Sequence, residues 1–368
     1  MSSNFGTNIK IQLFGQSHSE EIGVVIDGLP AGERIDMDEV MQFMKRRAPG
    51  QNAYSTKRKE TDKPQILSGL VDEMTCGAPL CATFKNSDTH SQDYDKLRNI
   101  PRPSHADYPA YVKTRGFNDI RGGGHFSARL TAPLTFAGAV CVQLLAKRGI
   151  YVGAHIESIG TIKDIRFNAV TVSKSELDTV RQKDFAVIDD MAGKKMKALI
   201  AEVAGDSDSV GGSVECCVLG LPTGIGEPIF DGIENRISQA VFGIPAVKGI
   251  EFGAGFAAGE MRGSESNDAF YYQGLHVRTK TNNHGGILGG LASGMPVVFR
   301  AAFKPTPSIA REQQSVNLAT GQNTSLVVQG RHDPCVVPRA VACVEAAAAV
   351  AIYDLISGTC GCYACGSI

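Results

Sequence analysis

Alternating apolar positions open the chain. Ile9, Ile11 and Leu13 fall on one side of 8–14, which predicts a strand. A second strand covers 23–27 and stops at Gly28-Leu29-Pro30-Ala31-Gly32, a turn sequence. Asp36 can cap a helix that carries Val40, Phe43 and Met44 to Arg47, where Pro49-Gly50 ends it. Strands follow at 65–70 and 79–84. The polar stretch 85–104 has almost no period, and aperiodic loops of that length tend to carry function. Beyond it the pattern predicts helices at 107–115, 126–148, 173–182 and 338–357, with strands near 151–158, 247–253 and 295–303.

One order of elements occurs twice. A strand at 214–219 runs into Gly220-Leu221-Pro222-Thr223-Gly224, and a helix follows over 227–242. The same order stands 192 positions earlier, at 23–47. It reads as an internal two-fold repeat, with related halves at about 8–150 and 200–357 of a single domain spanning 1–357. Residues 358–368 form a Cys- and Gly-rich tail. The class is α+β, with sheets packed on helices. A doubly wound nucleotide fold is excluded because no Gly-x-Gly-x-x-Gly follows the first strand.

Composition narrows the function. Of 368 residues, 37 are Lys or Arg and 38 Asp or Glu, so no global field favours nucleic acid or an anionic membrane. The absence of Trp counts against a base-stacking surface. Residues 1–15 show no signal-peptide pattern. The apolar run 130–146 contains Pro133 and Gln143 and reads as a buried helix rather than a membrane span. Cys76, Cys81, Cys141, Cys216, Cys217, Cys335 and Cys343 sit in apolar surroundings and read as small hydrophobes in a reducing, cytoplasmic compartment. Cys360, Cys362 and Cys365 lack a local fourth metal ligand.

Candidate chemistry lies in loops that combine Gly with Arg, His or Ser. Arg121-Gly122-Gly123-Gly124-His125-Phe126-Ser127-Ala128-Arg129 precedes a predicted helix, a favourable place for a phosphate. Arg102-Pro103-Ser104-His105-Ala106-Asp107 offers an imidazole able to exchange protons near neutrality. Ser17 and His18 are adjacent at a strand end, so they face apart and do not form a nucleophile–base pair. Basic groups at 45–47 and 57–59 bracket one loop and suggest a small polyanionic ligand. Lys304-Pro305-Thr306-Pro307-Ser308 presents an ammonium and two hydroxyls. Arg331 and Asp333 stand just before the last helix, where they could simply pair with each other. Asn282 to Gly290 is a further glycine-dense loop.

Taken together, 15–19, 46–60, 102–107, 121–131, 226–231, 246–249, 282–290, 304–309 and 330–341 resemble the chorismate synthase family, in family order and spacing, over residues 8–357. The resemblance implies a β-α-β sandwich-like core and a homotetramer. It implies conversion of 5-enolpyruvylshikimate 3-phosphate to chorismate, a 1,4-anti elimination of phosphate and a ring proton that uses reduced FMN without net redox change. NADPH enters only if the chain reduces its own flavin. His18, His105 and Asp333 would be catalytic. Ser17, Arg47, Arg102, Ser127, Arg129 and Arg331 would contact substrate. His125, Phe126, Ser127, Ala246, Gly286, Lys304, Pro305, Thr306, Pro307, Ser308 and Arg331 would hold the flavin.

The chain departs from the common family pattern at Gln16, Ser19, Ala53, Ser104, His125, Phe126 and Leu130. Two other functions stay open on these residues: a different flavin-dependent oxidoreductase on the same fold, and a non-catalytic FMN- or anion-binding relative.

Overall fold

A computed structural model describes residues 3–50, 60–88, 98–328 and 333–358. In chain order, the first half contains β1 (Asn4–Phe5), β2 (Lys10–Gly15), β3 (Glu21–Asp27), α1 (Met37–Arg47), β4 (Gln65–Ser68), β5 (Leu80–Lys85), α2 (Asp107–Thr114) and α3 (Thr131–Ala146). The second contains β6 (Tyr151–Ile159), β7 (Ile162–Lys163), α4 (Lys174–Arg181), α5 (Asp190–Gly205), β8 (Gly212–Leu219), α6 (Ile233–Phe242), β9 (Val247–Phe252), β10 (Val297–Phe303) and α7 (Val337–Gly358). Two antiparallel five-stranded sheets result, ordered β1-β2-β3-β5-β4 and β7-β6-β8-β10-β9.

The repeat is visible strand by strand: β2, β3, β5 and β4 correspond to β6, β8, β10 and β9. Both glycines of each Gly-Leu-Pro-x-Gly turn, Gly28 and Gly32, Gly220 and Gly224, adopt positive φ, which explains the residue type. Arg34 and Gly226, again 192 apart, each form an isolated bridge to a two-residue hairpin. The second sheet draws β6 from 151–159, ahead of residue 200, so the repeat as built resumes just after α3. Helix α6 starts at Ile233 rather than 227. The α4–α5 insert covers the outer face of the second sheet: Leu177 sits where a side chain on Gly153 would fall.

The core lies between the sheets. Ile22, Val24, Ile26, Leu80, Ala82 and Phe84 face it from one side, and Val214, Cys216, Val218, Val297, Phe299 and Ala301 from the other. Helices α3 and α7 fill the middle. Both are long and apolar enough to cross a membrane, and both are mostly buried inside the protein. Thr135 meets Cys343, Gly138 meets Ala346 and Cys141 lies beside Tyr353, so the two helices run parallel. A methyl at Gly138 would lie 2.2 Å from Ala346 Cβ, which fixes how closely the helices approach.

Buried carboxylates tie this pair to its surroundings. Glu345 on α7 takes both Arg46 guanidinium nitrogens at 2.7 and 2.8 Å and the Ala154 amide at 3.0 Å. Asp354 accepts the amides of Thr7, Asn8 and Ile9 and pairs with Arg236 of α6. His155 sits between Asp164 and Glu215, 2.9 Å from each, and pins the insert to the sheet. Burial alone would lower its pKa; the two carboxylates outweigh that and raise it. Of the seven described cysteines, Cys76 is exposed and Cys81 half-buried, whereas the other five are buried as hydrophobes. Cys360, Cys362 and Cys365 lie outside the described residues.

Replacing Gly138 by Val should force the central helices apart. A loss of about 1–3 kcal/mol in unfolding free energy is expected from overpacking. Urea unfolding measures it, and an unchanged midpoint would show that the crossing yields.

Candidate active site

The three consecutive glycines do not start a helix. Gly122, Gly123 and Gly124 have φ of 60°, 82° and 55°, and regular α-helix begins only at Thr131. Ser127 is extended, with φ −70° and ψ 143°, and a 3-10 turn follows over Ala128–Leu130, so the helix expected from 126 starts later. The loop instead folds back on the end of β2, where Ser17 N–H donates to Gly124 C=O at 3.0 Å. Gly122 faces the Ser17–His18 turn so closely that a Cβ there would lie 2.3 Å from the His18 imidazole and 2.5 Å from Ser17 Oγ. Ser17 Oγ is buried and has no hydrogen-bond partner among the described residues. A buried hydroxyl in that state calls for a ligand. His125 accounts for both ring nitrogens within the fold, Nδ1 on Gly15 C=O at 2.7 Å and Nε2 on Ser3 Oγ at 2.6 Å.

Across the cleft, His105 Nδ1 lies 3.0 Å from Pro103 C=O, which can only accept. That fixes the Nδ1–H tautomer, leaving Nε2 to accept from Ser308 Oγ at 2.7 Å. Burial, then the neighbouring Arg102 guanidinium, pushes the imidazole down to about 4, against the pull of Pro103 and Asp107. Arg102 is held by Asp107 through Nε at 2.7 Å and Nη2 at 2.9 Å. Lys304 Nζ donates to Ser104 C=O at 2.5 Å. Burial and then Lys248 hold the Lys304 ammonium below its ordinary value. Thr306 Oγ1 is buried and without a hydrogen-bond partner among the described residues.

Arg47 and Arg129 form the third wall. Both are almost fully buried, and both bond one carboxylate, Asp62: Arg47 through Nη1 at 2.5 Å and Arg129 through its own Nη1. Thr131 Oγ1 receives Arg47 Nε at 3.0 Å, while Asn86 Oδ1 receives Arg129 Nε at 2.9 Å. Asp333 accepts Arg339 Nη1 at 2.5 Å, and Arg339 Nε donates to Arg47 C=O at 3.0 Å.

These walls enclose one cavity of about 1080 Å³. Ser17, Arg47, Arg102, His105, His125, Phe126, Ser127 and Arg129 line it, as do Ala246, Lys304, Thr306, Pro307, Ser308 and Asp333. His18 stands just behind, against Gly122. Two expected flavin contacts fall outside the lining. Gly286 is held in a hairpin under the sheet, its N–H on Asn282 Oδ1 at 2.8 Å and its Cα hydrogens facing the Pro296 carbonyl. Pro305 turns away to pack over Gly211. Arg331 lies outside the described residues, as does the basic run 57–59. No role was legible beforehand for Asp62, Asp107 or Arg339. Asp107 was within reach, since it closes the 102–107 motif. Asp62 carried no signal, because its partners lie 15 and 67 residues away.

A cation-lined cleft of this size, holding histidines and buried hydroxyls without partners, belongs to an enzyme for a small polyanionic substrate. A family model described as Chorismate synthase matches residues 9–356. The chorismate synthase of Dehalococcoides mccartyi is 46% identical over 362 residues, covering 96% of each chain. That of Lancefieldella parvula is 44% identical over 367 residues, covering 97% of this chain and 96% of the relative. That of Thermococcus kodakarensis is 44% identical over 349 residues, with 95% and 96% covered. A crystal structure of chorismate synthase superimposes with a TM-score of 0.74 at 27% identity, over 95% of this chain and 92% of the other. The chain belongs to the chorismate synthase family, lyases of the shikimate pathway.

The His105 geometry makes a direct prediction. Its imidazole should titrate near pH 4 in the ligand-free protein, followed by NMR of labelled histidine; a midpoint near the ordinary value of about 6.5 would contradict it. Because the folded pKa is depressed, the unfolded chain binds the proton first. Replacing His105 should therefore gain relative stability as pH falls from about 6.5 to about 4.

Proposed function

We propose that the chain converts 5-enolpyruvylshikimate 3-phosphate to chorismate by 1,4-anti elimination of phosphate and a ring proton, with reduced FMN in the same cleft. The observation that carries this is one cavity gathering two buried arginines, a third beside His105, and the Lys304–Ser308 segment. The substrate bears a phosphate and two carboxylates, groups that Arg binds through charge-assisted, bidentate contacts.

The residues present fit a flavin mononucleotide. Lys304 and Lys248 supply paired ammoniums suited to a phosphate, and the partnerless Thr306 hydroxyl is a donor awaiting an acceptor. His125, Phe126, Ser127, Ala246, Thr306, Pro307 and Ser308 would complete the cradle, with Pro305 supporting from outside. Gly286 has no direct part in it within one copy of the chain. When bound, reduced FMN lends electron density to the substrate transiently and takes it back.

The protein's own groups handle binding and protons. Arg47, Arg102 and Arg129, with Ser17 and Ser127, orient the anionic groups. His18, packed on Gly122, donates a proton to the departing phosphate. Asp333 relays the ring proton away, its carboxylate oriented by Arg339. His105 is not a resident acid, because it rests neutral; it serves first as a fixed hydrogen-bonding group, and an anion bound against it raises its proton affinity. The active form is a homotetramer in the cytoplasm. Large apolar side chains left exposed on one copy, such as Phe230, Phe256, Tyr272 and Leu275, suit such an assembly.

An anaerobic assay with protein, reduced FMN and the enolpyruvyl substrate tests this. Phosphate and chorismate should appear in equal amounts with flavin unconsumed. Stoichiometric flavin or NADPH consumption would assign an oxidoreductase instead, and ligand binding without phosphate release would assign a non-catalytic relative. His105→Ala should lower turnover by about 10²-fold or more with an unchanged circular dichroism spectrum.

A further inference from the structure

We propose that Asp62 is a positioning residue for this reaction: from behind the cavity wall its carboxylate brackets Arg47 and Arg129 and sets both forks toward the substrate's anion. The inference rests on the functional reading above.

Three observations carry it. First, Asp62 is buried yet does not line the cavity, whereas both arginines do. It therefore acts on a ligand only through them. Second, each of its oxygens takes a different guanidinium, Oδ2 that of Arg47 and Oδ1 that of Arg129. Two buried like charges side by side repel, and one carboxylate between them removes most of that repulsion. Third, the remaining fork nitrogens are constrained from the same side. Arg47 Nε bonds Thr131 Oγ1 and Nη2 bonds Ala128 C=O at 3.3 Å; Arg129 Nε bonds Asn86 Oδ1 and Nη2 bonds Lys85 C=O at 3.1 Å. These bonds use three of the five N–H groups of each guanidinium. Among the described residues the others have no hydrogen-bond partner and remain for a ligand, held at a fixed separation.

Asp62 also adopts a φ of 48°, a conformation uncommon for a residue with a side chain, though Asp tolerates it better than most. Glu60, two residues earlier, lines the cavity, lies 3.9 Å from Arg129 Nη2 as a second, longer ion pair, and accepts the Ser87 amide and hydroxyl. Only Asp62 touches both arginines; Glu60 reaches Arg129 alone and at longer range.

The test compares wild type with Asp62→Asn and Asp62→Glu, by steady-state kinetics and by calorimetric titration with inorganic phosphate. Asp62→Asn should raise KM and the phosphate Kd about tenfold, with kcat within threefold. Asp62→Glu keeps the charge but misplaces it by one methylene, and should raise both constants about threefold. Unchanged KM and phosphate Kd in Asp62→Asn, whatever its stability, overturn the proposal. So does tighter phosphate binding, which would make the carboxylate a mere competitor. If Asp62→Asn does not fold, wild-type constants in Asp62→Glu overturn it equally. The phosphate titration needs no turnover. A wild-type enzyme that binds phosphate but releases none from the substrate would sink the functional reading and leave the bracket to be judged on Kd alone.

Discussion

Two parallel helices packed without room for a side chain at their crossing govern the rest of this molecule. Helices α3 and α7 are the last elements of two half-repeats, and Gly138 against Ala346 sets their separation. The sheets then lie at a fixed distance on either side. Because the pair is parallel, both helix N-termini arrive at the same end of the core. Each brings the positive end of a helix dipole. The cavity opens there, lined by Arg129 to Thr131 just ahead of and into α3, and by Asp333, Val336 and Arg339 ahead of and into α7. The location of an anion site follows from repeat symmetry before any side chain is considered.

Placing arginines at such a point creates an electrostatic problem. Helix ends, Arg47, Arg102, Arg129 and Arg339 would repel one another if left alone. The fold answers with carboxylates at short range: Asp107 on Arg102, Asp333 on Arg339, and Asp62 shared by Arg47 and Arg129. Sharing is the informative detail. With Glu60 also 3.9 Å from Arg129 Nη2, the described guanidiniums are balanced at short range and held in place, which suits a preorganised wall. In Asp62, burial alone would raise the pKa, but the Arg47 and Arg129 charges outweigh it, so the bracket stays ionised at neutral pH.

How much of this was written legibly in the chain depends on sequence distance. The Gly-Leu-Pro-x-Gly echo revealed the repeat because glycines at positive φ cannot be replaced cheaply, so the turn keeps its spelling in both halves. The long apolar runs at 130–146 and 338–357 showed the central helices. Strand β6 was legible as a strand but not as part of the second half, since the α4–α5 insert separates it from β8 and hides the pairing of Cys217 with Gly153. The motif loops were found, but their roles within the cleft were not. His125 lines the cleft, and its ring nitrogens bond Gly15 and Ser3, 110 and 122 residues away. Contacts across such separations have no local signature.

The charge state of His105 shows the same limit and why it matters. From sequence, an imidazole three residues after Arg102 and two before Asp107 could be pulled either way. The structure decides because Asp107 is already committed to the Arg102 guanidinium, leaving burial as the largest influence on the ring. A neutral imidazole with its tautomer fixed by the Pro103 carbonyl presents a lone pair, not a proton, toward Ser308. In the proposed reaction, proton donation from this position cannot precede binding. It requires an anion to enter the cleft and reverse the balance that holds the ring neutral. Burial first, and then the Arg102 charge, thereby keeps the ring neutral until a ligand is in place.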